Sequence, residues 1–452
     1  MAFFPANATY ASMLGELYSA AFTAPAFNWI CSPAVTELET IVLDWLCKLL
    51  NLPDIFLSTG EGGGVIQGSA SEAVVTVMVA ARDKYLNETT SHLEGEEKED
   101  AIAHKRSRLV ALGSDQAHSS TQKAALIAGV RYRSVPTSKE NDFSLTGETL
   151  LKTIEECKAK GLEPFFLTVN LGTTSTCAVD EFASIASSLS TLTPGRPGEA
   201  GEIWVHVDAA YAGAALVCPE YQHYTKDFDK FHSFDMNMHK WLLTNFDASC
   251  LFIRRRKDLI DALSITPSYL RNEHSESGLV TDYRDWQIPL GRRFRALKIW
   301  FVMRTYGVEG FQKHIRSHVE LGNIFHGLVA EKKELFTVFT EPRFALTVFT
   351  CNADTLEARN KLTREVYELV LKRGEIYITS SVVGGVYAIR VVSANPLAEE
   401  KYVMRAFDIL VEATEDCLSG SGKTSGTGTP KTIVEEGGGK GLGEAKVVSK
   451  QK

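Results

Sequence analysis

No run of eighteen apolar residues occurs anywhere in the 452-residue chain, so no hydropathic membrane span is expected. The first thirty residues lack a basic stretch followed by an unbroken apolar one, and no secretory signal is evident. There is no domain-scale basic stripe, and the formal net charge is −8, which argues against nucleic acid as a partner. Arg254–Lys257 is a compact basic run, but it follows the apolar Cys250–Ile253 and reads as a solvated strand end. The eight cysteines show no CxxC pair and no metal-ligand spacing. No metal is expected, and buried free thiols in a reducing, cytoplasmic setting are.

What is present is the composition of a globular protein with a substantial core, at 44% hydrophobic and 23% charged residues. Residues 34–51 carry Leu38, Ile41, Val42, Trp45, Leu46 and Leu49 at helical spacing. Gly60–Gly64 interrupts the chain, and Ser69-Ala70-Ser71-Glu72 opens a second helix reaching about Tyr85. The charged stretch from Asn87 to Lys105 predicts a surface loop. Short apolar runs at 109–112, 165–169, 203–207 and 250–253 alternate with helical or loop segments. That alternation predicts an α/β fold with a mostly parallel sheet covered on both faces. The polar segment from Thr266 to Tyr283 predicts a mobile loop over a site, although an inert surface loop is the commoner meaning of such composition. A helical stretch from about Arg292 to Val329 precedes strand-like runs at 344–349, 375–379 and 386–393, which predict a smaller α+β domain. The expected division is 1–315, 316–418 and a Gly/Ser/Thr/Lys-rich, disordered tail from 419 to 452.

Two segments carry chemistry. The run Ile203–Asp208 ends in an acid followed by Ala209-Ala210-Tyr211-Ala212-Gly213, and further on stands Asn237-Met238-His239-Lys240-Trp241. A lysine that forms an imine and an acid that keeps a ring nitrogen protonated can hold pyridoxal phosphate at both chemically important ends. Gly62–Gly68 leave the backbone free to approach a ligand, and Ser69, Ala70 and Ser71 sit at a helix N-terminus suited to a dianionic phosphate. A plain N-cap role for Ser69 or Ser71 would be worth about 1 kcal/mol. No GK[ST] follows, so a nucleotide-type phosphate loop is not supported. His118 follows one strand and could stack on a planar cofactor; Thr174 follows another and could meet a ring substituent. Singly, each reads as a structural polar residue. Together with Asp208 and Lys240 they fall at the carboxyl ends of separate strands, where open α/β sheets place ligands.

The segments Ser32–Glu39, Gly62–Glu72, His118–Ser120, Leu171–Thr174, His206–Gly213, His239–Trp241 and Asp282–Arg295 occur in the order of one family. From Phe4 to about Val411 the chain resembles the group II pyridoxal-phosphate decarboxylases of the aromatic-L-amino-acid type. The resemblance implies an aspartate-aminotransferase-like (fold type I) large domain, a small C-terminal domain, a pyridoxal 5'-phosphate cofactor and a homodimer. By position it makes Lys240 the imine-forming lysine, Asp208 the ring-nitrogen partner and His118 the residue stacked on the ring. Ser69, Ala70, Ser71, Asn237 and His239 fall on the phosphate, Thr174 beside the ring and Ala210 against its other face. Phe4, Pro5, Phe27 and Trp29 correspond to residues bounding the substrate, some supplied by the other subunit.

Tyr269 matches the family tyrosine that delivers a proton to Cα. Relatives that form an aldehyde with dioxygen carry Phe at that position or Asn at the histidine; Tyr269 and His118 therefore imply amine and CO2 as products. Tryptophan, tyrosine, phenylalanine and their hydroxylated forms all remain open as substrate, because Ala345 stands where relatives alternate between Gly and Ser. Ala6 replaces a threonine common in catechol-handling relatives, a loss on the order of 1 kcal/mol for one hydrogen bond. Phe3 and Met238 depart from a common Tyr and Pro. Relatives begin with a further helical segment lying across the partner, and this sequence starts inside the motif that follows it. Uncovered apolar surface is then expected, with a weakly dimeric or inactive homologue as the alternative of another class. Glutamate and histidine decarboxylases are runner-up enzymes, although a glutamate enzyme would need a cation for the distal carboxylate.

Overall fold

The computed structural model describes residues 1–192, 198–265, 273–276 and 280–420. Helices α1 (Tyr10–Ala21) and α2 (Pro33–Leu49) lead into β1 (Gly63–Gln67) and α3 (Ala70–Thr89). There follow α4 (Gly95–Arg106), β2 (Leu109–Ser114), α5 (Ser119–Ala128), β3 (Arg131–Val135), α6 (Gly147–Ala159), β4 (Glu163–Asn170) and α7 (Phe182–Leu189). Next come β5 (Trp204–Asp208), β6 (Ser233–Asn237), the single turn α8 (Met238–Trp241), β7 (Ser249–Ile253), α9 (Arg256–Leu263) and the short α10 (Glu273–Glu276). The long α11 (Ala296–Glu331) is kinked at Gly307, whose φ of 61° interrupts the helix. Beyond it lie β8 (Phe336–Val338), β9 (Leu346–Cys351), α12 (Leu356–Arg373), β10 (Thr379–Val383), β11 (Val386–Val392) and α13 (Glu400–Ser419).

The large sheet runs β1-β7-β6-β5-β4-β2-β3, with β7 antiparallel to both its neighbours and every other pairing parallel. Side chains alternate between two covered faces, which is why its central strands read as continuous apolar runs. Val205, Val207, Leu167 and Val169 pack into one core with Leu43 and Leu46 of α2. Trp204, Phe166 and Ala111 pack into another with Val74 and Val77 of α3. A separate antiparallel sheet, β10-β11-β9-β8, packs Phe336 and Phe349 against Val366 of α12 and Phe407 of α13. The α/β architecture is as expected. Helix α11 serves both parts, Phe311 and Ile315 in the large core and Phe325 and Val329 in the small one.

Several local expectations change. The charged stretch read as a loop contains the end of α3 and all but the last residue of α4. No residue of α4 is buried, so it has no apolar period; Glu96 and Glu97 in its first turn and His104, Lys105 and Arg106 in its last complement the helix dipole instead. The glycine run is not open to a ligand. A Cβ on Gly62 would meet Ile55 O at 2.0 Å, and one on Gly63 would meet the Trp286 ring at 2.9 Å, so these glycines permit close packing around β1. The strand expected at 375–379 begins at Thr379, because α12 ends on Gly374 in the left-handed conformation and the chain needs four residues to return. Six of the eight free cysteines are buried, Cys31 is exposed and Cys417 is intermediate; burial pushes the thiols of Cys47 and Cys177 up to about 12. Among the described residues no helix is long and apolar enough to cross a membrane. The tail expected from 419 lies outside the described residues after Gly420.

Two buried polar joints hold the layers together. Arg292 meets Glu39 of α2 through Nη1 at 2.9 Å and Nη2 at 2.6 Å, donates from Nε to Gln287 Oε1, and is fully enclosed. Glu39 Oε1 also accepts from Ile66 N of β1 at 2.9 Å. Where α11 passes behind α8, Trp241 Nε1 donates to His318 Nδ1 at 2.9 Å, and the His314 ring lies 4.3 Å from that of His318. Burial pushes His318 down to about 4 and His314 down to about 3.

Arg292→Met strands a buried carboxylate and should lower unfolding free energy by about 3–5 kcal/mol; an unchanged urea midpoint would contradict this. The two histidines stay neutral in the fold but bind protons once unfolded. The unfolded chain therefore takes up more protons between about pH 6.5 and 4, and their contribution to stability is lost as pH falls through that window. His318→Gln, which keeps an acceptor for Trp241, should lose less stability than wild type between pH 7 and pH 4.5 in urea titrations.

Candidate active site

The parallel register sets Asn170 of β4 beside Asp208 of β5, and Asp208 beside Asp235 of β6. The turns after these strands, the start of α3 and the start of α5 enclose a cavity of about 210 Å³. Ser69, Ala70 and Ser71 line it from α3, and His118 from the start of α5. Thr174, Asp208 and Ala210 line it from the turns after β4 and β5, and Asn237, His239 and Lys240 from the end of β6 and α8. All ten residues expected around a cofactor are thus brought together, with Phe4 from the substrate set.

Lys240 is half-buried in the turn that ends β6. Loss of solvent lowers its ammonium pKa, against the pull of Asp208 and Asp235. Asp208 is buried, and its Oδ1 accepts from Ala210 N at 3.0 Å, which orients the carboxylate into the cavity mouth. His239 Nδ1 accepts from Ala248 N at 3.0 Å, so its ring proton resides on Nε2; burial and then Lys240 hold its pKa down to about 4. His118 caps α5: its Nδ1 accepts from Ser120 N at 3.1 Å, again leaving the proton on Nε2. Ser69 does cap α3, accepting from Glu72 N, and it lines the cavity as well. The first turn of α3 presents its N–H groups and the positive end of a twenty-residue helix. Asn237 Oδ1 is buried without a hydrogen-bond partner among the described residues. This donor-rich end, with an amine and a carboxylate beyond it, fits the anionic, ring-shaped pyridoxal phosphate.

The start of the chain is latched onto the same turn. Asn7 N donates to His239 O at 2.8 Å, Asn7 Nδ2 donates to Lys240 O, and Thr9 Oγ1 donates to Leu243 O at 2.8 Å. Phe4 stacks on Tyr211 with centroids 3.8 Å apart, and Tyr211 on Trp241 at 4.6 Å. Lys240 Nζ lies 5.9 Å from the Phe4 centroid.

Other expected residues lie elsewhere. Pro5, Phe27 and Trp29 do not line this cavity. Trp29 donates from Nε1 to Glu37 Oε1 and its ring lies 5.1 Å from that of His274, while Phe27 O accepts from Arg284 N. Ala345 lines a second cavity of about 240 Å³ with Tyr221 and Tyr224, set against Gly322 of α11. Tyr269 lies outside the described residues. Phe246, stacked 3.9 Å from His239, lines the site without having been singled out. Nearby, buried Arg390 of β11 donates to Thr174 O, Ser175 O and Thr379 Oγ1 and lies 5.4 Å from the Phe4 ring. A lone arginine inside the apolar run Ala388–Val392 was the available signal for it.

The conserved domain of pyridoxal-dependent decarboxylases matches residues 1–352. Tyrosine decarboxylase 2 of Narcissus pseudonarcissus is 43% identical over 427 residues, spanning 93% of this chain and 81% of its own. Phenylacetaldehyde synthase of Arabidopsis thaliana is 43% identical over 417 residues, spanning 91% and 80%. The crystal structure of Oryza sativa TDC with PLP and tryptamine aligns with a TM-score of 0.85 at 38% identity, covering 92% of this chain and 83% of that one. The chain belongs to the pyridoxal-dependent decarboxylase family, with pyridoxal phosphate as its cofactor.

Proposed function

We propose that the chain decarboxylates an aromatic L-amino acid (tryptophan, tyrosine, phenylalanine or a hydroxylated form) to the amine and CO2. The observation that carries this reading is the convergence of Lys240, Asp208, His118 and the start of α3 on one cavity walled by Phe4. When bound, pyridoxal phosphate supplies the electron sink for the charge left at Cα as CO2 departs. Lys240, with its ammonium destabilised by burial, offers the neutral amine that imine formation needs. Asp208, one oxygen pinned by Ala210 N, keeps its other oxygen for the protonated ring nitrogen. Ser69, Ala70, Ser71, Asn237 and the Nε2–H of His239 hold the phosphate. His118 covers one ring face and Ala210 the other, with Thr174 at the edge.

Phe4 contributes an aromatic wall for the substrate ring. Pro5 beside it, with Phe27 and Trp29, completes that wall, some of these residues coming from a second copy of the chain in a homodimer. The supporting feature is the apolar face of α1, where Tyr10 is 86% exposed and Met13, Leu14, Leu17 and Tyr18 lie open beside it. We place the joint between a large domain (1–315) and a small one (316–418) within α11, and the enzyme in the cytoplasm without nucleic-acid or membrane partners. Tyr269 delivers the proton to Cα, which favours amine over the aldehyde that a relative's name indicates.

A panel of aromatic amino acids assayed with product identification tests the reading: amine should dominate, and aldehyde with peroxide as the main wild-type products would defeat it. Lys240→Ala should lose the visible imine band and turnover. Tyr269→Phe should cut amine formation by about 10²-fold or more, with aldehyde and peroxide rising. Sedimentation should give about twice the chain mass of 49.8 kDa; a monomer that still turns over would remove the second copy from the site.

A further inference from the structure

Beneath Asp208 lies a second carboxylate that the reaction as outlined leaves unused. Asp235 is its cross-strand neighbour and is fully buried. Its Oδ1 lies 3.1 Å from His206 Nε2 but outside hydrogen-bond geometry, and both of its oxygens are buried with no hydrogen-bond partner among the described residues. The other ring nitrogen, His206 Nδ1, lies 2.9 Å from Ser233 Oγ, which also accepts from Trp204 Nε1 at 2.9 Å. An indole N–H can only donate, so Ser233 Oγ accepts from Trp204 and keeps its hydroxyl proton and a second lone pair for the contact with His206 Nδ1. Trp204, Ser233, His206 and Asp235 thus lie in a row of polar contacts along one sheet face, with Asp208 on the strand beside Asp235.

We infer that Asp235 is a positioning residue of the cofactor site: set against His206 and paired across the strands with Asp208, its carboxylate adds negative charge behind Asp208 and strengthens the hold of Asp208 on a protonated ring nitrogen. A buried carboxylate oxygen without a partner is costly and is retained where its field is useful. The groups that face it are His206 and Asp208 from β5, with Lys240 from α8 also acting on it, whereas Cys250 of β7 pairs with Met236 and lies on the other sheet face. The buried side of α3, which covers this face, carries no titratable side chain. Burial pushes the Asp235 carboxyl up to about 6, the His206 contact opposing and Asp208 reinforcing the rise, so the charge is present at neutral pH.

The inference rests on the proposed pairing of Asp208 with the cofactor, and the test separates the two. Wild type, Asp235→Asn and His206→Phe are loaded with ring-¹⁵N pyridoxal phosphate, and the nitrogen shift is followed against pH by NMR. The visible imine band is the control. If wild type lacks that band or a protonated ring nitrogen, the reading of Lys240 and Asp208 fails first. With wild type intact, Asp235→Asn should move ring-nitrogen deprotonation down by about one pH unit or more, and His206→Phe should move it the same way. A titration that superimposes on wild type overturns the inference. Loss of fold or cofactor in both variants would make the pair purely structural and overturn it equally.

Discussion

Parallel pairing of β4, β5 and β6 is the constraint from which the site follows. Strands that point the same way leave the sheet at the same edge, so the turns after them must share one small volume. Their register places Asn170, Asp208 and Asp235 in a row. β1 reaches the same edge because two antiparallel steps, through β7, restore its direction. The start of α3 therefore arrives beside the end of β6, and a carboxylate, an amine and a helix N-terminus meet although none is close to another in sequence.

Given that convergence, the remaining task is to keep charged groups in place without water. Lys240 sits on a single helical turn, too short to hold itself. Hydrogen bonds from Asn7 and Thr9 grip the carbonyls of that turn on one side, and the Tyr211–Trp241–His318 ring stack backs it on the other. β6 carries buried polar atoms with no hydrogen-bond partner among the described residues, Asn237 Oδ1 and both carboxylate oxygens of Asp235. Such atoms lower stability in a free-standing core and are expected where a ligand or its field completes the arrangement.

Much of this was legible before any coordinates. Helix α2 and strands β2, β4, β5 and β7 declared themselves through apolar periodicity or runs, and the cofactor residues through motifs at strand ends. β3 escaped because it is an edge strand with exposed Arg131 and Arg133. β6, with Ser233, Asp235 and Asn237 on one face, is too polar to look like a buried strand at all. α4 was hidden for the opposite reason, having no buried face. Arg390 and Asn7 act through contacts more than two hundred residues away, which no local pattern encodes. Ala345 borders a different cavity from Lys240 within one chain, a placement that no local sequence pattern encodes.

The latch between the first ten residues and the lysine turn bears on how the molecule assembles. Asn7 and Thr9 bind carbonyls 233 and 234 positions downstream. During synthesis these residues have nothing to settle on until the segment that carries Lys240, more than two hundred positions later, has been made. Contacts of such long range form late and slow the search for the native state. Asn7 and Thr9 are therefore among the last residues of the large unit to find their place, and the lysine turn acquires its final geometry only when these distant segments have closed on each other.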